Sequence, residues 1–302
     1  MSPMAVAVLV LAILLTPIAC RASNGNTTAL ADSAEVAQRE TRLEQALASH
    51  DSSAASRAAV ARWVLPEHLA EISGVTLTTD GRLLVHGDEK GQVTEIDYRR
   101  GVMVKQFTIG QPALQGDFEG ITAVGDVLFL LASNGRLYEF QEGVNGERVD
   151  YAVHDTRLGR ECEFEGLAFD PAIGSLLLAC KSVGEKRLRD SLVIYRWRLQ
   201  GGSGPRLSHL AVPLARVIGS NGWKDLHPSD ITRDPATGNY VLIAAQEKAL
   251  IELTPAGDVV FSGPLPESLE HTEGVAITSD SILILSDEAG HRPASISLYR
   301  WR

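Results

Sequence analysis

The sequence lacks a cluster of basic residues, and this excludes one large class of partners. Its 302 residues include 28 Lys and Arg against 38 Asp and Glu, which gives a formal net charge of -10. Proteins that bind nucleic acid gather Lys and Arg on one face, because these side chains must displace the counterions of the phosphates. We therefore expect no nucleic-acid partner.

Short motifs that are typical of several enzyme classes are also missing. The chain has no Gly-x-Ser-x-Gly nucleophile elbow, no Walker phosphate loop and no Cys-x-x-Cys pair. With 3 Cys and 8 His, it offers few ligands for zinc or copper. Metal binding is therefore expected to rest on carboxylates, which favour hard cations such as calcium and magnesium.

One long apolar run, residues 4–19, is followed directly by Cys20. It is shorter than the roughly 20 residues of a membrane-spanning helix, which favours a cleaved export signal over a permanent anchor. The ending Pro17–Cys20 resembles a bacterial lipobox, in which the Cys carries the lipid. Residues 1–20 are therefore predicted to be a signal peptide or membrane anchor. Both alternatives place the remaining chain in the cell envelope, outside the cytoplasm.

Residues 21–60 are predicted to form a flexible polar linker. They are rich in Ala, Ser, Asn, Thr and charged residues and contain no aromatic residue. A short amphipathic helix that ends near Ala48 is the one element expected here, with Val36, Leu43 and Leu47 on one side.

From residue 61 to the end the sequence repeats a β-rich unit, which predicts an all-β domain. The fourth residue of the unit is Gly except at Asp230. These fourth residues, at positions 74, 120, 166, 230 and 274, are 46, 46, 64 and 44 residues apart. A period of about 40 to 50 residues is typical of β-propeller blades. The five copies begin at Glu71–Val75, Asp117–Ile121, Glu163–Leu167, His227–Ile231 and His271–Val275.

The repeat predicts a five-bladed β-propeller over residues 61–302. Each copy continues with a turn, a second apolar strand and a third strand. The chain ends on a third strand, so we expect Ala61–Leu65 to supply the outer strand of the last blade and close the ring. The long interval contains Leu199–Leu226, which is predicted to be an insertion between blades; a sixth, degenerate blade is the alternative.

Two cysteines fall in the third copy. Cys162 opens its first strand and Cys180 ends its second, so the two nearly face each other in a hairpin. If Cys20 is lipidated or removed, they form an even pair, as expected in an oxidising compartment. A disulfide is favoured over the alternative of two small buried thiols.

Carboxylates recur at the positions that should line the channel. In a propeller the first strand of each blade lies on the axis, so equivalent positions form rings. Like charges in such a ring repel unless a cation or protons intervene, and calcium accepts six to eight oxygen ligands in irregular geometry. We therefore predict a calcium site. The predicted ligands are Glu119, Glu165, Asp230 and Glu273, with Glu71, Asp117 and Glu163 in a less direct ring around them.

The alternative for these acids is structural: each carboxylate accepts backbone N–H bonds within its own blade. Two histidines open a second alternative. His227 and His271 occupy the same repeat position, two or three residues from Asp230 and Glu273, where an imidazole could act as an acid or base beside a metal ion.

The ordered series of motifs resembles the SdiA-regulated family of bacterial envelope proteins, over roughly Ala61–Arg302. The resemblance implies a five-bladed propeller with a calcium site, an N-terminal membrane-associated segment and no established reaction. The motifs that carry it are Leu65–Leu69, Glu71–Gly74, Asp117–Ile121, Glu163–Leu167 and His227–Ile231.

Two functions remain open at the level of sequence. The first is a non-catalytic envelope protein, expected to be monomeric and attached to the membrane by its N-terminal segment or lipid. Calcium would stiffen its channel mouth, and the propeller face would bind a protein or small molecule that the sequence does not identify. The second is a calcium-dependent hydrolase of esters, lactones or phosphoesters, in which the metal polarises the bond under attack.

Overall fold

A computed structural model describes residues 33–48, 58–199, 206–266 and 269–301. The signal peptide or anchor predicted for residues 1–20, including the lipobox, lies outside the described residues. Within the described ranges, no helix is long and apolar enough to cross a membrane. The helices are α1 (Ser33–Ala48), α2 (Leu214–Ile218) and a 3-10 helix at Glu67–Leu69.

The rest of the described chain is almost entirely β-structure. The strands, in chain order, are β1 (Ala61–Val64), β2 (Ile72–Leu77), β3 (Leu83–Gly87), β4 (Gln92–Asp97), β5 (Val102–Ile109), β6 (Phe118–Val124), β7 (Val127–Ala132), β8 (Arg136–Gln141), β9 (Arg148–Val149), β10 (Tyr151–Asp155), β11 (Cys162–Asp170), β12 (Ser175–Val183), β13 (Ser191–Arg198), β14 (Leu207–Pro213), β15 (Asp230–Arg233), β16 (Tyr240–Ala244), β17 (Ala249–Leu253), β18 (Val259–Pro264), β19 (Thr272–Ile277), β20 (Ile282–Asp287) and β21 (Ser295–Arg300).

These strands form five antiparallel sheets, which are the blades of a five-bladed propeller. In order from the axis outwards, they are β2–β3–β4–β5, β6–β7–β8–β10, β11–β12–β13–β14, β15–β16–β17–β18 and β19–β20–β21–β1, and β9 adds in parallel to β5. The fold predicted from the repeat is confirmed, and the described residues contain no sixth blade. Second strands such as Tyr240–Ala244 are buried throughout, because both faces of each blade pack against neighbours.

The ring closes as the sequence predicts. β1 pairs antiparallel with β21, with Ala61 opposite Leu298 and Val64 opposite Ser295. Trp63, on β1, donates its indole N–H to the carbonyl of Tyr98 at 2.7 Å, which ties the fifth blade to the first. The beginning and the end of the domain therefore share one sheet.

The long interval between the third and fourth copies is only partly an insertion. Leu207–Pro213, inside the predicted insertion, is the outer strand of the third blade and pairs along β13. The remainder contains α2, whose Val217 is buried with Leu226 in the core between the third and fourth blades. The prediction missed β14 because its side chains are mostly exposed, so it lacks the apolar run that marks the inner strands.

The helix expected within the polar linker is present as α1, and it is docked on the propeller. Leu43 is 1% exposed and joins the core between the fifth and first blades. The Arg39 guanidinium lies over the Trp63 ring, 5.6 Å from its centroid, and Glu40 pairs with Arg100 at 2.7 Å. The helix therefore covers the outside of the seam at which the ring closes.

The disulfide expected between Cys162 and Cys180 is present and joins β11 to β12. Both residues are buried, at the end of the blade where the chain enters the axis. The bond therefore holds together the corner of the third blade that carries Glu163, Glu165 and Lys181.

The docking of α1 gives a stability prediction. Replacing Leu43 by Ala should lower the free energy of unfolding by about 2 to 4 kcal/mol, because it removes a buried side chain and leaves a cavity. Urea unfolding measures the change. Glu44→Ala, on the exposed face of the same helix, should stay within about 0.5 kcal/mol of the wild type. Equal effects of the two substitutions would mean that α1 does not pack on the propeller.

Candidate functional site

The five innermost strands approach each other closely around the axis. A Cβ atom added at Gly120 would lie 2.7 Å from the backbone nitrogen of Leu167, and one at Gly166 would lie 2.8 Å from the Cα of Asp230. A larger residue at either position would therefore collide with the backbone of the next blade, which explains these glycines. At the end where the inner strands finish, all five line one polar pocket of about 140 Å³.

At the other mouth, where the inner strands begin, the third repeat position lies in a β-bulge. The pairing register shifts between Ile72 and Gly74, between Phe118 and Gly120, and between Thr272 and Gly274. The third blade is irregular across the segment that includes Glu165. A residue in a β-bulge does not take part in the regular strand pairing, and the bulge changes the direction of its side chain. The bulged residues are Ser73, Glu119, Glu165 and Glu273.

The three bulged glutamates share one electrostatic environment. Burial, together with the carboxylates of Glu165 and Asp117, raises the pKa of Glu119 to about 9. Burial also raises the pKa of Glu273 to about 7, again with a contribution from Glu165. Glutamates of the second, third and fifth blades therefore act on one another at one mouth.

One positively charged side chain, that of Lys181, contacts this group of glutamates. Lys181, at the end of β12, places its ammonium on the carboxylate of Glu165, whose side chain is 9% exposed. Burial raises the pKa of Glu165, and the contact with Lys181 opposes the rise. Burial lowers the pKa of Lys181, but Glu165, Glu163 and Glu273 outweigh this effect and raise it.

Asp230 occupies a different level from the three glutamates. It is 1% exposed, and its Oδ2 accepts a hydrogen bond from the backbone N–H of Val275 at 2.8 Å. Burial raises its pKa well above the ordinary range, although the backbone N–H groups of Val275, Ile231 and Leu167 oppose the rise. These groups belong to three successive blades, so the carboxylate joins inner strands across blades.

Serine takes the third repeat position in the two remaining blades. Ser73 donates to the carbonyl of Phe118 at 2.9 Å, and Ser229 donates to the carbonyl of Thr272 at 2.7 Å. Ser73 also lies 3.2 Å from an oxygen of Glu119. These hydroxyls link neighbouring inner strands and put further oxygen atoms beside the carboxylates.

The three acids predicted to surround the ligands, Glu71, Asp117 and Glu163, also act on carboxylates at this mouth. Asp117 and Glu163 raise the pKa values of Glu119 and Glu165, respectively, and Glu71 raises that of Glu288. The acids that end the second strands were not among the predicted site residues. The polar cluster that follows each second strand was the available signal. Two of these acids, Asp88 and Asp287, raise the pKa of Glu288 at the same mouth.

The two histidines at the first repeat position differ in their surroundings. His227 Nδ1 lies 2.8 Å from Oε1 of Glu247, and its backbone N–H donates to Oε2 of the same side chain at 3.1 Å. Its Nε2 lies 3.8 Å from Oδ2 of Asp225. His271 is exposed, and its backbone N–H donates to Asp287 at 2.9 Å.

Two of the buried polar atoms that have no hydrogen-bond partner among the described residues lie beside glycines of the inner strands. His86 Nδ1 is 3.0 Å from the carbonyl of Gly87, which fixes the proton there and leaves Nε2 as an acceptor. A Cβ on Gly74 would lie 2.5 Å from this Nε2, and one on Gly274 would lie 2.4 Å from the unpartnered Oγ of Ser286.

The donor set at this mouth suits calcium in its chemistry. Its carboxylate and hydroxyl oxygens are the ligands of a hard cation, and the unpartnered Oγ of Ser286 lies against Gly274, the residue after Glu273. The side chains as they stand are not gathered into a coordination sphere: within the described ranges, no three His, Cys, Asp or Glu side chains are placed to hold a metal ion. Calcium binding here would require these side chains to rearrange, because Lys181 contacts Glu165.

Comparison with known proteins supports the architecture. No protein-family model and no curated protein sequence matches the chain. Glutaminyl cyclase of Myxococcus xanthus is a similar solved structure, with 12% identity over 80% of this chain and 94% of that chain and a TM-score of 0.54. The PQQ-bound aldose sugar dehydrogenase of Streptomyces coelicolor is also similar, with 13% identity over 79% and 98% of the two chains and a TM-score of 0.51. At such identities the likeness shows the propeller fold alone.

The buried imidazole gives a prediction on pH dependence. Burial lowers the pKa of His86 from 6.5 to about 4, so the unfolded chain binds more protons between these values. The neutral, buried imidazole therefore contributes fully to stability above about pH 6.5. As the pH falls towards 4, this contribution is lost and the free energy of unfolding decreases by about 3 kcal/mol. His86→Leu, which copies Leu131 at the equivalent place of the second blade, should remove it.

The measurement is the difference in unfolding free energy between wild type and variant at pH 7 and pH 4.5. His68→Gln, at an exposed position, serves as the control and should keep the wild-type slope. The assignment of a neutral, buried imidazole fails if His86→Leu and the wild type lose stability in parallel.

Proposed function

We propose that this protein is an exported, membrane-tethered β-propeller of the SdiA-regulated type, which binds calcium at its acidic mouth and has a non-catalytic binding role in the cell envelope. The observation that carries the proposal is the convergence of three bulged, largely buried glutamates from three blades. Glu119, Glu165 and Glu273 would hold the ion, and Asp230 would keep the inner strands together beneath it.

Electrostatics is the physical reason for a cation at this mouth. Burial disfavours the ionised form of these carboxylates, and repulsion between neighbours adds to the effect, which is why the pKa values of Glu119 and Glu273 rise to about 9 and about 7. A divalent ion would stabilise the ionised forms of all three and would join the second, third and fifth blades. Calcium fits an irregular oxygen ring better than magnesium, which demands near-ideal octahedral geometry.

The envelope location rests on separate observations. The Cys162–Cys180 disulfide is typical of oxidising compartments, and the apolar run before Cys20 is typical of an export signal. The docking of α1 would hold the propeller close to whatever precedes Ser33. We propose that a protein or small molecule binds at the propeller face, where calcium supplies a fixed positive charge within an acidic rim.

Calcium binding is tested by isothermal calorimetry on purified protein after treatment with a chelator. The wild type should release or absorb heat on titration with Ca²⁺, and a concentration of 100 times the Kd should raise the unfolding free energy by about 2.7 kcal/mol. Glu119→Gln, Glu165→Gln and Glu273→Gln should each weaken binding by about 10-fold or more, because each removes a charged ligand.

The control is Asp126→Asn, which removes one exposed charge from a turn at the far end of the second blade. It should leave the affinity within a factor of about two. A wild-type protein that neither gives heat nor gains stability with Ca²⁺ would rule out the proposed site.

The second candidate function is a calcium-dependent hydrolase, and the Glu247–His227 pair favours it. Glu247 accepts the Nδ1 proton at 2.8 Å, which leaves Nε2 of His227 as a base that can take a proton from water. The neighbouring Asp225 would stabilise the imidazolium that forms. A bound cation would polarise the carbonyl or phosphoryl group under attack.

Turnover of chromogenic esters, lactones and phosphodiesters in the presence of Ca²⁺ tests this candidate. If the protein is a hydrolase, His227→Ala should reduce kcat by about 100-fold or more with calcium affinity unchanged, as expected for the loss of a general base. His271→Ala, at the equivalent exposed position, is the matched control and should remain active. A calcium-binding protein that is inactive on the whole panel supports the non-catalytic function.

A further inference from the structure

The acidic mouth already contains one cation of the chain, the ammonium group of Lys181. It contacts Glu165 directly, and Glu163 and Glu273 act on it as well. Its side chain is 37% exposed, whereas that of Glu165 is 9% exposed. The ammonium therefore reaches from the solvent side to a buried carboxylate, on the path by which an ion from solution would approach.

The basic residue is peculiar to the third blade. Phe164 is the second residue of the repeat in this blade, and it pairs with Cys180. Lys181 is the next residue after Cys180. Two of the other blades place acids there, because Asp88 follows Gly87 and Glu288 follows Asp287 at the equivalent pairs. The complete set at this position is Asp88, Ser133, Lys181, Ala245 and Glu288. A lysine thus stands where the repeat otherwise has an acid or a small residue.

A separate observation points to an occupant close to the inner strands near this mouth. His86 Nε2 and Ser286 Oγ are fully buried and have no partner among the described residues. Each lies against the inner-strand glycine that follows a bulged residue, Gly74 or Gly274. Buried polar groups are nearly always partnered, by water or an ion if the chain supplies nothing.

We propose that the ammonium group of Lys181 is the counter-ion of Glu165 at this mouth. A divalent ion must displace this ammonium group from Glu165 in order to bind, so Lys181 sets the affinity for the ion. The proposal rests on the proposed function, since it concerns the same carboxylates. Displacement leaves the ammonium on its flexible stem at the rim, still close to the incoming ion. Lys181 therefore weakens divalent binding twice, by competing for Glu165 and by repelling the ion afterwards.

The test is a calorimetric Ca²⁺ titration of four full-length proteins: wild type, Lys181→Met, Lys181→Arg and Lys186→Met. Lys181→Met should bind Ca²⁺ about 10-fold or more tightly than the wild type, because one competing charge is removed. Lys181→Arg keeps the charge and should stay within about threefold of the wild type. Lys186→Met loses the same charge at an exposed position of the same blade, and should also bind like the wild type.

A second readout separates competition from a purely structural role. Without calcium, Lys181→Met should unfold at a lower temperature than the wild type, because Glu165 loses its partner; in saturating Ca²⁺ the order should reverse or the difference vanish. If Lys181→Met does not fold, Lys181→Gln, which keeps a hydrogen-bond donor, takes its place in both measurements.

The outcomes distinguish this proposal from the proposed function. A wild type that binds Ca²⁺ while Lys181→Met binds no more tightly than Lys186→Met overturns the role of Lys181 alone. Absence of binding in all four proteins overturns the calcium site and the role of Lys181 together. Binding by Lys181→Met with none by the wild type supports the competition, with Lys181 as a complete block.

Discussion

The structure depends on the close approach of five inner strands around one axis. At Gly120 and Gly166 the strands are so near that a Cβ atom would meet the backbone of the next blade, and at Gly74 and Gly274 it would meet a neighbouring side chain. Four blades meet this constraint with glycine. The fourth blade instead has Asp230 at this position. Its carboxylate accepts a hydrogen bond from the backbone N–H of Val275, and the backbone N–H groups of Ile231 and Leu167 also lower its pKa. Asp230 therefore links the inner strands of three successive blades.

The same narrowness concentrates charge at one mouth. Residues that immediately precede the glycines are forced into bulges, so Glu119, Glu165 and Glu273 leave their ladders and face one another. Their raised pKa values, the ammonium of Lys181 and the unpartnered Ser286 hydroxyl all follow from this crowding. A cation site here would be a product of the architecture as much as of the individual residues.

The sequence predicted the features that depend on repetition. Five copies, four of them with glycine at the same place, predicted the five blades, and the missing last strand pointed to Ala61–Leu65 as the closing strand. It could not predict what depends on contacts between distant residues. The bulges, the pairing of Lys181 with Glu165 and the different surroundings of His227 and His271 arise from three-dimensional packing. β14 was missed because an outer strand has only one buried edge and little apolar pattern.

The seam between the fifth and first blades has a mechanical consequence. The polypeptide that precedes the propeller is joined to it through α1, with Leu43 inserted in the core and Glu40 paired with Arg100, and only then through β1. A pulling force applied from the N-terminal side must detach this helix from the propeller before it can separate β1 from β21. The helix thus protects the strand pairing that closes the ring.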